Sequence, residues 1–217
     1  MYKDINKKIC LGSIDEKWFE KNIVRENNMY LFLKRAIDIF FGCVGFILFS
    51  LFFPFVAVLI KVDSKGPIFY CHKRVGKNGI VFDLYKFRSM TSSSDQHSAI
   101  WREKDKDNIT RVGKFLRRSH IDELPQAINL LRGDISFVGP RPEWVELVKI
   151  FEEEIPFYKK RYLIKPGLFG WAQINFPASK TVDEAKEKFE YDLYYIKNYS
   201  ILLDIEIMLK AVKLFLW

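Results

Sequence analysis

The longest apolar run lies between Ile39 and Ile60, IFFGCVGFILFSLFFPFVAVLI, where 22 consecutive residues carry no charge. As a helix at about 1.5 Å per residue, such a run is long enough to cross a hydrocarbon core. It is apolar on every face, which disfavours a buried helix of a soluble protein. It also begins far from the N-terminus and lacks a small-residue cleavage site, unlike a secretory leader. Downstream the period changes. Residues 67–75 (PIFYCHKRV) and 80–90 (IVFDLYKFRSM) are aromatic and β-branched runs flanking Gly76-Lys77-Asn78-Gly79. Asn-Gly in that setting predicts a β-hairpin. Residues 91–108 are polar and charged and predict a mobile loop. From Gly113 to Leu131, apolar residues recur at helical spacing, and Pro125 predicts a helix that restarts there, with Asp122 or Glu123 near its N-terminus. Residues 143–160 and 183–198 read as helices, and Lys165–Asn175 as a glycine-marked loop. Residues 201–217 predict a last helix suited either to the membrane surface, with Trp217 at headgroup level, or to the core.

The pattern predicts an α+β fold, mostly helical, with one membrane helix and a small cytosolic body containing a β-hairpin. Lys34 and Arg35 precede the apolar run, while Lys61, Lys65, Lys73 and Arg74 follow it. Basic flanks stay on the cytoplasmic side, so both ends of the run belong there. A re-entrant helix broken near Pro54 satisfies both, with Ser50 one turn upstream to help satisfy freed backbone groups. The alternative is a spanning helix with a tolerated kink.

The formal net charge of +8 suits nucleic acid, anionic lipid or phosphorylated substrates. Cys10, Cys43 and Cys71 form no CxxC pair, which argues against a disulfide framework or a structural zinc site. His72, His97 and His120 lack metal-ligand spacing and read as scattered structural or surface residues.

Chemistry concentrates in Ser119–Pro142, SHIDELPQAINLLRGDISFVGPRP. Asp122 and Glu123 stand between Arg117 and Arg118 on one side and Arg132 and Arg141 on the other. Carboxylates among arginines suit an anionic, phosphorylated substrate, since arginine matches phosphate through paired donors. Adjacent carboxylates raise each other's pKa, and a hard divalent cation such as Mg²⁺ relieves the repulsion. A charged helix cap is the plainer alternative. Lys86 and Arg88, two apart on a strand, share a face and either grip phosphate or stand in solvent. Trp171 and Gln173 offer an aromatic and an amide to a base or sugar, or else Trp171 anchors the core.

The apolar segment with its proline, YKFRSM (85–90), HIDELPQ (120–126), GDISFVGPRP (133–142) and KPGLFGWAQIN (165–175) occur in the order seen in bacterial sugar transferases. From about Leu33 onward the chain resembles the monotopic phosphoglycosyl transferases of that family. The resemblance implies transfer of a sugar-1-phosphate from a UDP-sugar to undecaprenyl phosphate on the cytoplasmic face of the membrane, with Mg²⁺ and release of UMP. It implies a re-entrant membrane helix and the opening step of surface-glycan assembly, with downstream glycosyltransferases. Asp122 corresponds to the family's nucleophile, which forms a phosphosugar ester. Glu123 corresponds to its metal ligand or proton acceptor, and Arg117 and Arg141 to phosphate binders. Three positions depart from the frequent pattern: Phe53 replaces a serine before Pro54, Lys165 an arginine, and Phe176 a glycine.

The division expected is an N-terminal extension (1–30), a re-entrant membrane helix (31–62), a cytosolic catalytic domain (63–200) and a C-terminal interfacial helix (201–217). The extension precedes the catalytic match, and the chain is either a compact enzyme or part of a longer one. UDP-sugar, undecaprenyl phosphate and membrane lipids are the implied partners, and nucleic acid is not. A membrane-anchored nucleic-acid or lipid-binding protein would explain charge and helix but needs no carboxylate pair. A scaffold derived from the enzyme would have lost Asp122 and Glu123, which are present.

Overall fold

The computed structural model describes residues 7–23, 28–91, 108–176, 179 and 181–215. After a short helix α1 (Glu16–Asn22), the apolar run forms most of α2 (Asn28–Asp63), a single helix of 36 residues. It is long and apolar enough to cross a membrane. The break expected at Pro54 does not appear, because helical structure continues through that residue. Packing explains the continuity. Phe49, Val56 and Ile60, on both sides of Pro54, are held in one cluster with Phe87 and Leu116. Pro54 still withholds an N–H from the Ser50 carbonyl, and the Ser50 hydroxyl donates instead to the Phe46 carbonyl (2.8 Å).

The hairpin forms as expected from β1 (Phe69–Val75) and β2 (Val81–Phe87), antiparallel with Val75 opposite Val81. Asn78 and Gly79 take φ of 58° and 77°, the left-handed conformations to which Asn-Gly is suited. Of the expected loop 91–108, only the ends lie within the described residues, where Met90 bridges Ile109 at its base. Helices α3 (Arg111–Arg118) and α4 (Gln126–Arg132) follow, joined by a 3₁₀ turn at Ile121–Glu123.

A second, two-stranded sheet was not foreseen. Strands β3 (Ser136–Val138) and β4 (Gly167–Phe169) pair in parallel, with Ser136 opposite Gly167. A Cβ on Gly167 would collide with the backbone of Gly139, so this close approach requires glycine. The expected loop 165–175 is therefore a strand followed by the short helix α6 (Trp171–Asn175). Helices α5 (Val145–Glu154), α7 (Val182–Asn198) and α8 (Ile201–Phe215) complete the body. Ile9, Leu11, Trp18 and Phe19 of the N-terminal stretch sit in one core cluster with Phe151 of α5 and Phe189 of α7. In packing terms, residues 9–23 belong to the body.

Polar contacts tie α2 to the body near both ends. Arg35 donates to the Leu130 and Leu131 carbonyls (2.9 and 2.6 Å), where α4 ends. Asp38 accepts from Ser136 Oγ and the Phe137 N–H (2.8 and 2.7 Å). At the other end Asp63 accepts from the Val112 N–H (2.9 Å). The outward face is apolar, with Phe40, Ile47, Leu51, Phe55, Val58 and Val62 exposed. Helix α8 exposes Leu202, Ile205, Leu209 and Val212 at helical spacing. Trp217 lies outside the described residues.

Candidate active site

Three elements converge on the acidic pair. Helix α3 begins at Thr110, whose Oγ1 accepts from the Gly113 N–H (2.9 Å), and ends on the basic residues Arg117 and Arg118. His120 then turns the chain with φ of 56°, setting Asp122 and Glu123 in the 3₁₀ turn before Pro125 caps α4. The pair thus precedes a helix, as the proline predicts.

Strand β2 contributes Lys86, and the loop after β3 contributes Arg141. Both donate to one oxygen, Glu123 Oε1, at 2.5 Å from Lys86 Nζ and 2.6 Å from Arg141 Nη2. Burial pushes the Glu123 carboxyl up, but the charges of Arg141 and Lys86 outweigh it and hold Glu123 well below its ordinary range. Asp122 is 7% exposed. Among the described residues its carboxylate accepts no hydrogen bond. Burial raises its pKa; Lys86 opposes this, Glu123 adds to it, and the net shift is upward. Two neighbouring carboxylates are driven apart, Glu123 held down by its cations and Asp122 raised by burial.

The cleft at the pair has two arms. A cavity of about 150 Å³ reaches α2, with Phe41, Gly45, Ala127 and Phe137 beside His120 and Glu123. Gly45 allows this crossing, since a Cβ there would lie 3.2 Å from that of Ala127. A second cavity of about 260 Å³ also touches His120 and Glu123 and runs past Arg141 and Gln173. An apolar arm against α2 and a second arm that adds the Arg141 cation and the Gln173 amide thus meet at one carboxylate.

Of the residues singled out in the sequence, Asp122, Glu123, Lys86, Arg141 and Gln173 come together here. Arg117 stands beside them. Its Nε donates to Ser89 Oγ (2.7 Å), and its charge lowers the pKa of Asp122. Arg88 does not belong to the site. Its guanidinium donates to the Ser64 and Lys65 carbonyls (2.7 and 3.0 Å) and so fastens the end of α2. Trp171 is not a binding platform. It is 1% exposed, its Nε1 donates to the Lys7 carbonyl (2.9 Å), and its ring stacks on Tyr194. Both are corrections with one cause: each side chain finds a satisfied partner inside the body. His120, read as an incidental histidine, lines both arms. Its signal was its place two residues before Asp122.

Comparison with known proteins places the chain in a family. The sequence model of the family described as bacterial sugar transferase matches residues 29–217. The chain is 44% identical over 185 residues to an Aeromonas hydrophila UDP-N-acetylgalactosamine-undecaprenyl-phosphate N-acetylgalactosaminephosphotransferase, covering 85% of this chain and 44% of that protein. It is 40% identical to the exopolysaccharide production protein PSS of Rhizobium leguminosarum bv. phaseoli, covering 85% of this chain and 95% of that one. It is also 38% identical to a Klebsiella pneumoniae UDP-glucose:undecaprenyl-phosphate glucose-1-phosphate transferase, covering 86% of this chain and 40% of that protein. The chain therefore spans less than half the length of two of these relatives and nearly all of the third. On its motifs, its cleft and these matches, the chain belongs to the bacterial sugar transferase family.

Proposed function

We propose that this protein transfers a sugar-1-phosphate from a UDP-sugar to undecaprenyl phosphate at the cytoplasmic face of the membrane, releasing UMP. The observation that carries this reading is the Asp122 carboxylate, buried yet without a hydrogen bond among the described residues, beside a Glu123 held by two cations. An oxygen of Asp122 attacks the phosphorus that bears the sugar. The bond from that phosphorus to the bridging oxygen breaks, and UMP leaves with the electron pair. An acyl phosphate carrying the sugar remains on Asp122. A phosphate oxygen of undecaprenyl phosphate then attacks the same phosphorus and frees the Asp122 carboxylate. One difficult displacement becomes two easier ones. Arg141, Lys86 and Arg117 steady the phosphoryl oxygens, and positioning supplies much of the rate. The apolar arm against α2 suits the first units of the polyprenyl chain.

The carboxylates fit Mg²⁺. Glu123 Oε2 and both Asp122 oxygens accept no hydrogen bond among the described residues, and they are hard donors. Mg²⁺ commonly takes one or two protein carboxylates and completes its shell with phosphate and water. Glu123 would hold it, and when bound it would neutralise charge on the diphosphate. Turnover that persists in EDTA would remove the metal from this reading.

A re-entrant, monotopic placement of α2 has support in its contacts. Arg35 and Asp38 near one end and Asp63 at the other bind the same charged body, which cannot lie on both sides of a bilayer. Shallow insertion of the continuous helix, or a bend at Pro54 that membrane insertion would add, keeps both ends cytoplasmic. New cysteines at Lys34 and Lys65 should both escape labelling from outside intact cells; labelling of one alone would indicate a spanning helix.

The deciding experiment uses UDP-sugar without lipid. The detergent-solubilised protein should release about one UMP per active site and retain the sugar label covalently. UMP release only in the presence of undecaprenyl phosphate, with no trapped label, would favour direct transfer and make Asp122 a base. UDP-N-acetylgalactosamine and UDP-glucose, the donors in the relatives' names, head the substrate panel. The product would feed glycosyltransferases that extend the lipid-linked sugar.

A further inference from the structure

Behind Arg141 lies a cavity of about 420 Å³ between the loop after β3 and helices α5 and α7. Arg141 and Gln173 line both this cavity and the second arm of the cleft, so the two spaces meet at those side chains. The motifs of the sequence do not account for it.

Charged and amide side chains line it, and some of their buried polar atoms lack a partner. Arg74 is 8% exposed, and its Nη1 donates to the Pro142 carbonyl (2.9 Å), yet its Nε has no acceptor. No carboxylate pairs with it within salt-bridge distance among the described residues. Asp192 is 1% exposed; its Oδ2 accepts from Arg161 (2.8 Å), while Oδ1 accepts from nothing. Gln173 Oε1 is likewise buried and unpaired. Buried donors and acceptors left open cost stability unless a ligand completes them.

The charge identifies the ligand class. Arg74, Arg141, Arg161 and Lys188 face two carboxylates, Glu143 and Asp192. Lys188 is matched to Glu143 (2.6 Å) and Arg161 to Asp192, while Arg141 is matched to Glu123 outside the cavity. The surplus is Arg74, which burial pushes down to about 10, with Glu143 opposing and Arg141 adding to the fall. A neutral sugar has no use for that surplus, whereas a phosphate does. Asp192 and Gln173 add an acid and an amide to the lining, groups that can accept from ribose hydroxyls or a base.

We propose that this cavity receives the ribonucleoside 5′-phosphate half of the donor, with Arg74 and Arg141 toward its phosphate and Gln173 and Asp192 at its ribose or base. The proposal rests on the UDP-sugar reading above and adds where the nucleotide goes. With the reacting phosphorus at Asp122, the sugar then occupies the cleft beside His120 and the nucleoside runs behind Arg141. Phe176, where relatives of this pattern often carry glycine, walls the nucleoside and not the sugar.

UMP, which lacks the sugar, separates the alternatives. Arg74→Ala should raise the KM for UDP-sugar and the inhibition constant of UMP by the same factor, about 10- to 100-fold, with kcat far less affected. Arg74→Lys should recover part of both losses. Phe176→Trp, which narrows the cavity without touching a buried charge, should raise both constants in parallel and guards against misfolding of the arginine variants. If either constant stays at its wild-type value in Arg74→Ala and Phe176→Trp, the nucleoside is not there; a changed KM with unchanged UMP inhibition would put the sugar in the cavity. Failure of the broader reading looks different, because the wild-type protein itself would release no UMP.

Discussion

Asp122 and Asp204 are both buried aspartates, 7% and 2% exposed, and their surroundings are opposite. Asp204, on α8, accepts from Lys34 Nζ (2.7 Å), Tyr195 Oη (2.6 Å) and Tyr30 Oη (3.1 Å). It ties together α2, α7 and α8, since Tyr30 and Lys34 come from α2 and Tyr195 from α7. Asp122, in the turn before α4, accepts from no described residue. A buried carboxylate with a full set of donors is a fastening, and its removal is a structural event. One with none leaves its lone pairs open to whatever enters the cleft, and the proposed function gives that place to substrate. Burial is the same; the hydrogen-bond count separates joint from reagent.

The largest effect expected from this contrast is on turnover. On the role proposed for Asp122 as nucleophile, Asp122→Asn should lower UMP release about 10⁴-fold or more, since an amide does not replace an attacking carboxylate. Its thermal midpoint should not fall, because no protein hydrogen bond is lost. The second effect is reciprocal. Asp204→Ala leaves Lys34 largely buried without its partner, which should cost about 3–5 kcal/mol of stability, while molecules still folded retain their turnover. Melting curves and UMP release measured on both variants check the pair together. An Asp122→Asn variant that melts as low as Asp204→Ala would erase the distinction.

Local signals made much of this legible. The 39–60 run needed only its length, and the hairpin only Asn-Gly between β-branched runs. Asp122, Glu123 and Arg141 were legible because they are close in sequence and of a type that chemistry requires. What stayed hidden depends on who waits at the other end of a side chain. Alternation along β2 says which side Lys86 takes, but not that Glu123 stands there while the end of α2 waits for Arg88 about 7 Å further on. Trp171 looked like a platform until the Lys7 carbonyl and the Tyr194 ring enclosed it. The β3–β4 pair is three residues against three, set by Gly139 meeting Gly167 across a long stretch of chain, which no periodicity reveals. Pro54 carried a local rule that tertiary packing on both sides overrode.

Glu143 gives the finest test of the contrast, because it is a satisfied carboxylate whose contribution can be switched off with acid. Its Oε1 accepts from Lys188 Nζ (2.6 Å), with Arg161 Nη2 further away at 3.9 Å. Burial pushes its pKa up, but Lys188 and then Arg161 overcome it and hold the group down at about 2. The unfolded chain, with an ordinary glutamate pKa of about 4.3, binds this proton first as pH falls. The stability due to the folded carboxylate is therefore complete above about pH 5 and disappears as pH approaches 2. It amounts to at most about 3 kcal/mol by that linkage, less than the Asp204 joint. Glu143→Gln keeps an acceptor for Lys188 without the charge, so its deficit against wild type should be full at pH 7 and shrink to little near pH 2. Denaturant midpoints of both proteins across that range measure the gap. A gap that stays constant with pH would mean that Glu143 contributes by shape and hydrogen bonding alone, and that charge is not what separates the fastened carboxylates from Asp122.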